Sequence, residues 1–236
     1  MPITRKYRRK KNKKKAKRRP RKLVRYNYPV GMPLKHTCKL RYTDVISLDA
    51  GAGAMASHAF RMNNIFDCDA SGTGHQPRHY DLLAEVYNYY TVRGAKITAK
   101  IVGFDESSAE RTQAFGIRIG NQTILTAPNT DVAALHEAGR TLNTKWTMVR
   151  HEDPTKTRTL THTWSLRKTK ANSNESTDDV LTGTTSGAGP ARQDYAVVFV
   201  GTELLDPAQN GCRLQVLVSI DYVVQFRGVK GNLPED

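Results

Sequence analysis

Leu214-Gln-Val-Leu-Val-Ser-Ile-Asp-Tyr-Val-Val-Gln-Phe226 decides the fold class. Leu214, Val216, Val218, Ile220, Tyr222, Val224 and Phe226 form an unbroken apolar phase; Gln215, Leu217, Ser219, Asp221, Val223 and Gln225 form a mostly polar one. A repeat of two puts alternate side chains on opposite faces of a strand, so this stretch predicts one long strand with a buried and a wetter face. The same alternation recurs through the chain. Ala95, Ile97, Ala99 and Ile101 oppose Lys96, Thr98 and Lys100. Phe115, Ile117 and Ile119 mark another strand, and Leu160, His162, Trp164 and Leu166 alternate with Thr159, Thr161, Thr163 and Ser165. Residues 195–200 are a short apolar run, and 38–48 and 145–151 carry weaker strand signals. The prediction is an all-β sandwich of seven or eight strands.

Tyr80-Asp-Leu-Leu-Ala-Glu-Val-Tyr-Asn-Tyr-Tyr90 breaks the alternation. Leu83, Val86, Tyr87 and Tyr90 fall at i, i+3, i+4 and i+7, one face of a helix, and Asp81 and Glu85 sit early, where the helix dipole favours anions. One short helix is therefore expected over about 80–90. The connections at about 49–79, 121–144 and 169–194 read as long loops rich in small and polar residues, and loops of that length usually carry function.

Charge is distributed very unevenly. Residues 1–25 hold eight Lys, seven Arg and no acid; of the chain's 37 basic and 22 acidic residues, 22 of each remain for the rest. The chain is a polycationic arm on a body whose charges sum to zero, which points to a polyanion partner. The arm cannot bury apolar surface and repels itself, so it is expected to be disordered alone. Fully extended it reaches ~80 Å. Arg5, Lys6, Arg8, Arg9, Lys10, Lys11, Lys13, Lys14, Lys15, Lys17, Arg18, Arg19, Arg21, Lys22 and Arg25 are the candidate nucleic-acid contacts. Their binding should be independent of base sequence and steeply salt-dependent. Tyr7, Tyr26 and Tyr28 can either stack on unpaired bases or serve as spacers. The stretch Lys10-Lys-Asn-Lys-Lys-Lys-Ala-Lys-Arg-Arg19 also reads as a nuclear localisation signal. Two prolines and a glycine within Tyr28-Pro-Val-Gly-Met-Pro33 mark a stiff hinge. The expected organisation is an arm over 1–25, a hinge over 26–35, a folded domain over 36–228 and a tail over 229–236.

A second basic cluster comprises Lys156, Arg158, Arg167, Lys168 and Lys170, with Trp164 inside it. It reads equally as a phosphate-facing patch or as a solvated strand edge guarded by lysine.

Chemistry for an enzyme is missing. Gly51-Ala-Gly53 lacks the third glycine and the strand–helix setting of a dinucleotide site. Asp67-Cys-Asp-Ala-Ser-Gly72 starts like a calcium loop, but Arg78 stands where a bidentate Glu is required, so a surface turn is expected. His75 and His79 are interrupted by Pro77, and His151-Glu-Asp-Pro154 reads as a turn. His162 lies in the apolar phase beside Trp164 and reads as a satisfied core histidine. Cys38, Cys68 and Cys212 form no CxxC pair, so neither a zinc site nor a disulfide framework is expected. No cofactor is implied. There is no 18-residue apolar run and no apolar region behind the basic N-terminus, so neither a membrane-spanning helix nor a secretory signal is expected. Asn121-Gln-Thr123 and Asn174-Glu-Ser176 match the glycosylation sequon, with little meaning unless the chain is secreted.

A Lys/Arg arm, a Pro-rich hinge, an all-β body and a Tyr-rich helix running into a strand resemble the capsid proteins of circovirus-like circular single-stranded DNA (CRESS-DNA) viruses. A Tyr-x-x-Tyr-x-Val-x-Gly-x-Lys-Ile-like segment opens strand C in that family; Tyr87, Tyr90, Val92, Gly94, Lys96 and Ile97 match it here. The arm departs from the family in having as much Lys as Arg. The resemblance implies an eight-stranded antiparallel jelly roll forming a small icosahedral (T=1, 60-copy) shell, with arms turned inward on a single-stranded DNA genome. Sixty arms would bring ~900 positive charges to that genome. It further implies a virion protein that enters the host nucleus through import factors and attaches to a host receptor or sulphated glycan. The competing expectation is a cellular nucleic-acid-binding protein, ribosomal or chromatin-associated, with a basic tail. In such proteins the folded faces are usually basic too.

Overall fold

The computed structural model describes residues 33–51, 55–104, 112–122, 143–150, 158–171, 180–201 and 213–231. Nine strands and two short helices lie there in the order β1 (Lys35–Leu48), β2 (Met55–Arg61), α1 (Tyr80–Val86), β3 (Tyr87–Phe104), β4 (Thr112–Asn121), β5 (Thr144–Arg150), β6 (Thr159–Ser165), α2 (Leu166–Ala171), β7 (Thr182–Thr184), β8 (Asp194–Gly201) and β9 (Leu214–Val229). One sheet runs β1-β9-β3-β6, with β7 also on β3; the other runs β2-β8-β4-β5. All pairings are antiparallel.

The pairing is nested. First strand pairs with last (β1–β9), second with next to last (β2–β8), then β3 with β6 and β4 with β5. This is a long hairpin rolled over on itself, so the domain is an eight-stranded antiparallel jelly roll with β7 as a small addition. The long strand at the C-terminal end is the spine of the first sheet. β9 pairs with β1 from Lys35↔Arg227 to Leu48↔Leu214 without a slip, and with β3 on its other side. Its apolar phase, Leu214 to Phe226, is fully buried, because it points into the gap between the sheets. Tyr42, Phe60, Ile97, Ile101, Phe115, Ile117 and Val198 meet it there in one core. Each such aliphatic or aromatic side chain contributes about 1.5–3 kcal/mol on leaving water.

Four local expectations are corrected. The helix stops at Val86, four residues earlier than the spacing suggested; Tyr87 already has extended backbone (φ −118, ψ 148) and opens β3. Tyr87 and Tyr90 are buried as strand residues, and the Tyr-Tyr-Thr-Val run has the β-branched and aromatic character of a strand. The interval 49–79 is not all loop, since β2 lies within it. Its alternation is blurred, only Phe60 being fully buried among half-exposed neighbours. The interval 169–194 likewise contains β7, three residues long. Leu166 does not extend β6; it opens α2 with its side chain still buried.

Candidate nucleic-acid interface

The arm contacts from Arg5 to Arg25, and Tyr26 and Tyr28, lie outside the described residues, as does Lys156. The second basic cluster is partly described. Arg158 is exposed just before β6, its carbonyl accepting from Ile101 N–H at 3.0 Å. Arg167 and Lys168 are exposed on α2, and Lys170 lies on the same helix with its side chain outside the described part. Trp164 does not share their exposure. It is 6 % exposed, and its Nε1–H donates to Asp194 Oδ2 at 2.7 Å. Thr169 Oγ1 donates to the same oxygen at 3.0 Å, and Arg192 lies 3.8 Å from the other. A buried carboxylate needs donors, and the indole is one of them. Trp164 therefore packs in the core with its indole committed to Asp194, and it also lines the depression around Gly94.

A different arrangement, not apparent from the order of residues, lies on the outer face of the β1-β9-β3-β6 sheet. Lys35, Lys39 and Arg41 on β1, Lys96 and Lys100 on β3 and Arg227 on β9 all stand in the outward phase. The register brings them together: Arg41, Asp221, Lys96 and Thr163 form one row across four strands, and Lys100, Leu217 and Val45 another. Asp221 is the one acid in this phase of the three strands, and Arg41 grips it twice, Nε to Oδ1 at 2.6 Å and Nη2 to Oδ2 at 3.1 Å. Lys39, Lys96 and Lys100 pair with no carboxylate among the described residues. Arg93 bonds the Gln225 side chain, and Arg213 Nε donates to Ser47 Oγ at 2.6 Å.

A shift of register between Val92 and Gly94 interrupts β3. Gly94 has no side chain, so the surface dips there into a shallow depression bordered by Lys39, Arg41, Lys96, Thr163 and Asp221. At one end of the face Tyr89 is 46 % exposed, with the Arg227 guanidinium 6.0 Å from its ring centre. The opposite sheet differs. On the side away from the main core it turns Ala114, Tyr195 and Phe199 outward, and all three are buried; a Cβ on Gly116 would lie 2.2 Å from the Phe199 ring.

The remaining candidate residues have structural partners. In the calcium-like loop Asp67 pairs with Arg61 at 2.5 Å, while Asp69 Oδ1 accepts from Ser71 N–H at 2.8 Å and lies 2.9 Å from His58 Nε2. It is the expected turn. His162 is buried, with Nε2 2.9 Å from the Asn143 carbonyl and Nδ1 accepting from Thr163 N–H, as a satisfied core histidine should be. Burial holds its pKa below the ordinary value, and Lys145 and Lys168 push the same way against the Asn143 bond. Cys68 is buried and its thiol is pushed up to about 12, chiefly by burial; Cys38 is raised for the same reason, and Cys212 is outside the described residues. No group of three metal-ligating side chains occurs among the described residues, and no described helix is long and apolar enough to cross a membrane.

By its strand order the chain is a jelly-roll protein. No family model matches it, and no curated protein does. Among solved structures it is similar to the decameric BFDV capsid protein (12% identity, TM-score 0.44, covering 82% of this chain and 99% of that one). It is also similar to the 60-mer BFDV capsid protein (11%, 0.46, 86% and 98%). A third is the semi-empty virus-like particle of the giant freshwater prawn Macrobrachium rosenbergii nodavirus (11%, 0.46, 83% and 95%).

Proposed function

We propose that the chain is a viral capsid protein: copies of the jelly-roll domain assemble into a closed shell, and the basic arm holds a polynucleotide inside it. The reading has a structural role and no catalytic one. One observation carries it, the segregation of charge. Fifteen cations and no acid precede residue 26, while the rest of the chain sums to zero. Identical domains that pack against each other cannot all carry a large charge of one sign without repelling. A detached cationic segment supplies attraction to phosphates without spoiling those contacts. In its finer form the shell is a small icosahedron of sixty copies around circular single-stranded DNA, built in the host nucleus after import through the arm. The virion then attaches to a host receptor or sulphated glycan.

The full chain should form uniform spherical particles in electron micrographs. Deleting residues 1–25 should remove their nucleic acid, read from the ratio of absorbance at the nucleic-acid and protein maxima, and leave the shell. A monomer that persists at every salt and pH would overturn the capsid reading, and an armless shell that packages normally would overturn the role of the arm. The basic face of the first sheet is what a cellular nucleic-acid-binding protein would share, and co-sedimentation with ribosomes or chromatin in place of particles would favour that reading.

A further inference from the structure

We infer that the outer face of the β1-β9-β3-β6 sheet is a second seat for the sugar–phosphate backbone of a single-stranded polynucleotide, centred on the depression at Gly94. The inference rests on the proposal that this protein handles a polynucleotide, but its residues lie in the folded domain and not in the arm.

The charge pattern supports it. Outward neighbours along a strand are ~6.8 Å apart and strands ~4.8 Å apart. Lys39 and Lys96 therefore flank the depression from two strands that enclose β9, and Lys100 continues the line along β3. The only outward acid of these three strands, Asp221, is neutralised by Arg41. The body is neutral in sum, yet among the described residues the outward phase of these strands carries Lys35, Lys39, Arg41, Lys96, Lys100 and Arg227 against a single acid. A phosphodiester chain matches such a face because each lysine it meets releases condensed counterions.

Chemistry between the cations fits the same ligand. Thr37, Thr43, Thr98 and Thr163 present hydroxyls that can donate to phosphate or sugar oxygens. Exposed Tyr89 at the end of the face offers a ring on which an unpaired base can stack. A flat sheet reads no base edges in a groove, so the seat should take single strands of any sequence.

The test uses the full chain and a fluorescent oligothymidylate, with affinity measured over a range of salt. Lys39→Gln, Lys96→Gln and Lys100→Gln together should reduce the slope of log affinity against log salt by about 2, three contacts at roughly 0.7 each. The exposed pair Arg78→Gln and Arg150→Gln, neither of them on these strands, should leave the slope near that of the parent. All the substituted side chains are exposed, and equal unfolding midpoints would establish that the fold is intact. A triple variant with the parent's slope overturns the inference while leaving packaging by the arm in place. A variant that loses retention on heparin but binds the oligonucleotide normally also overturns it, making the face a glycan site. A parent chain that does not bind the probe sinks the packaging reading and this one together.

Discussion

At the scale of single residues, Asp194 and His75 make the sharpest predictions. Asp194 is buried and takes hydrogen bonds from Trp164 and Thr169. Trp164→Phe would leave that carboxylate short of a donor, at a cost of about 1–3 kcal/mol. Denaturant unfolding should show this loss. His75 directs Nδ1 at the Gln76 carbonyl (2.8 Å) and Nε2 at the Thr43 carbonyl (2.9 Å). Only the imidazolium can donate to both. These two bonds, Gln76 first, raise its pKa above the ordinary histidine value, with a smaller push from Asp44. The stabilisation is therefore complete below about pH 6.5, the unfolded value, and is lost as pH rises through the higher folded value. His75→Gln should flatten that part of the stability profile, read as the urea midpoint between pH 5 and 8. Cys68 should resist thiol reagents in the native protein and Cys38 should react before it, because a buried thiol raised to about 12 supplies little thiolate.

Among elements, the junction of α1 and β3 is the most constrained. The Tyr90 ring lies over β7, where a Cβ on Gly183 would come within 2.4 Å of it, and Tyr90 Oη donates to Asn64 Oδ1 at 2.7 Å. Gly183→Ala should cost about 1–3 kcal/mol, measured by thermal or urea unfolding, because neither the ring nor the strand has room to yield. This junction also marks the limit of what the amino-acid pattern discloses. Tyr87 and Tyr90 satisfy a helical spacing and a strand's burial at once, and only pairing with β9 and β7 decides between them. β9, β3 and β6 were legible because each buries one face and wets the other, and β4 because Phe115, Ile117 and Ile119 recur at every second position although both its faces are largely buried. β2 was not, because its side chains are mostly half-buried and the alternation fades. The arm stands out by composition alone. The cationic face does not, because Lys39 and Lys96 are distant in sequence and meet only across β9, while total charge adds strand lysines to loop carboxylates.

For the whole molecule, nesting makes the last strand a condition for the first. Arg41 and Asp221 are 180 residues apart and directly opposed. Removing residues 214–236 should abolish the entire fold, β2–β8 included, since the core would lose one of its walls; circular dichroism and limited proteolysis would report it. Such long-range pairing belongs to slow folders, in the range of milliseconds to seconds. On a ribosome, then, the polycation emerges before the domain and stays tethered to an uncollapsed chain until β9 is synthesised. If the chain is the shell protein proposed above, a message cut short would yield no half-competent subunit able to poison a growing particle. Quality control of this kind is built into the order in which the strands are made.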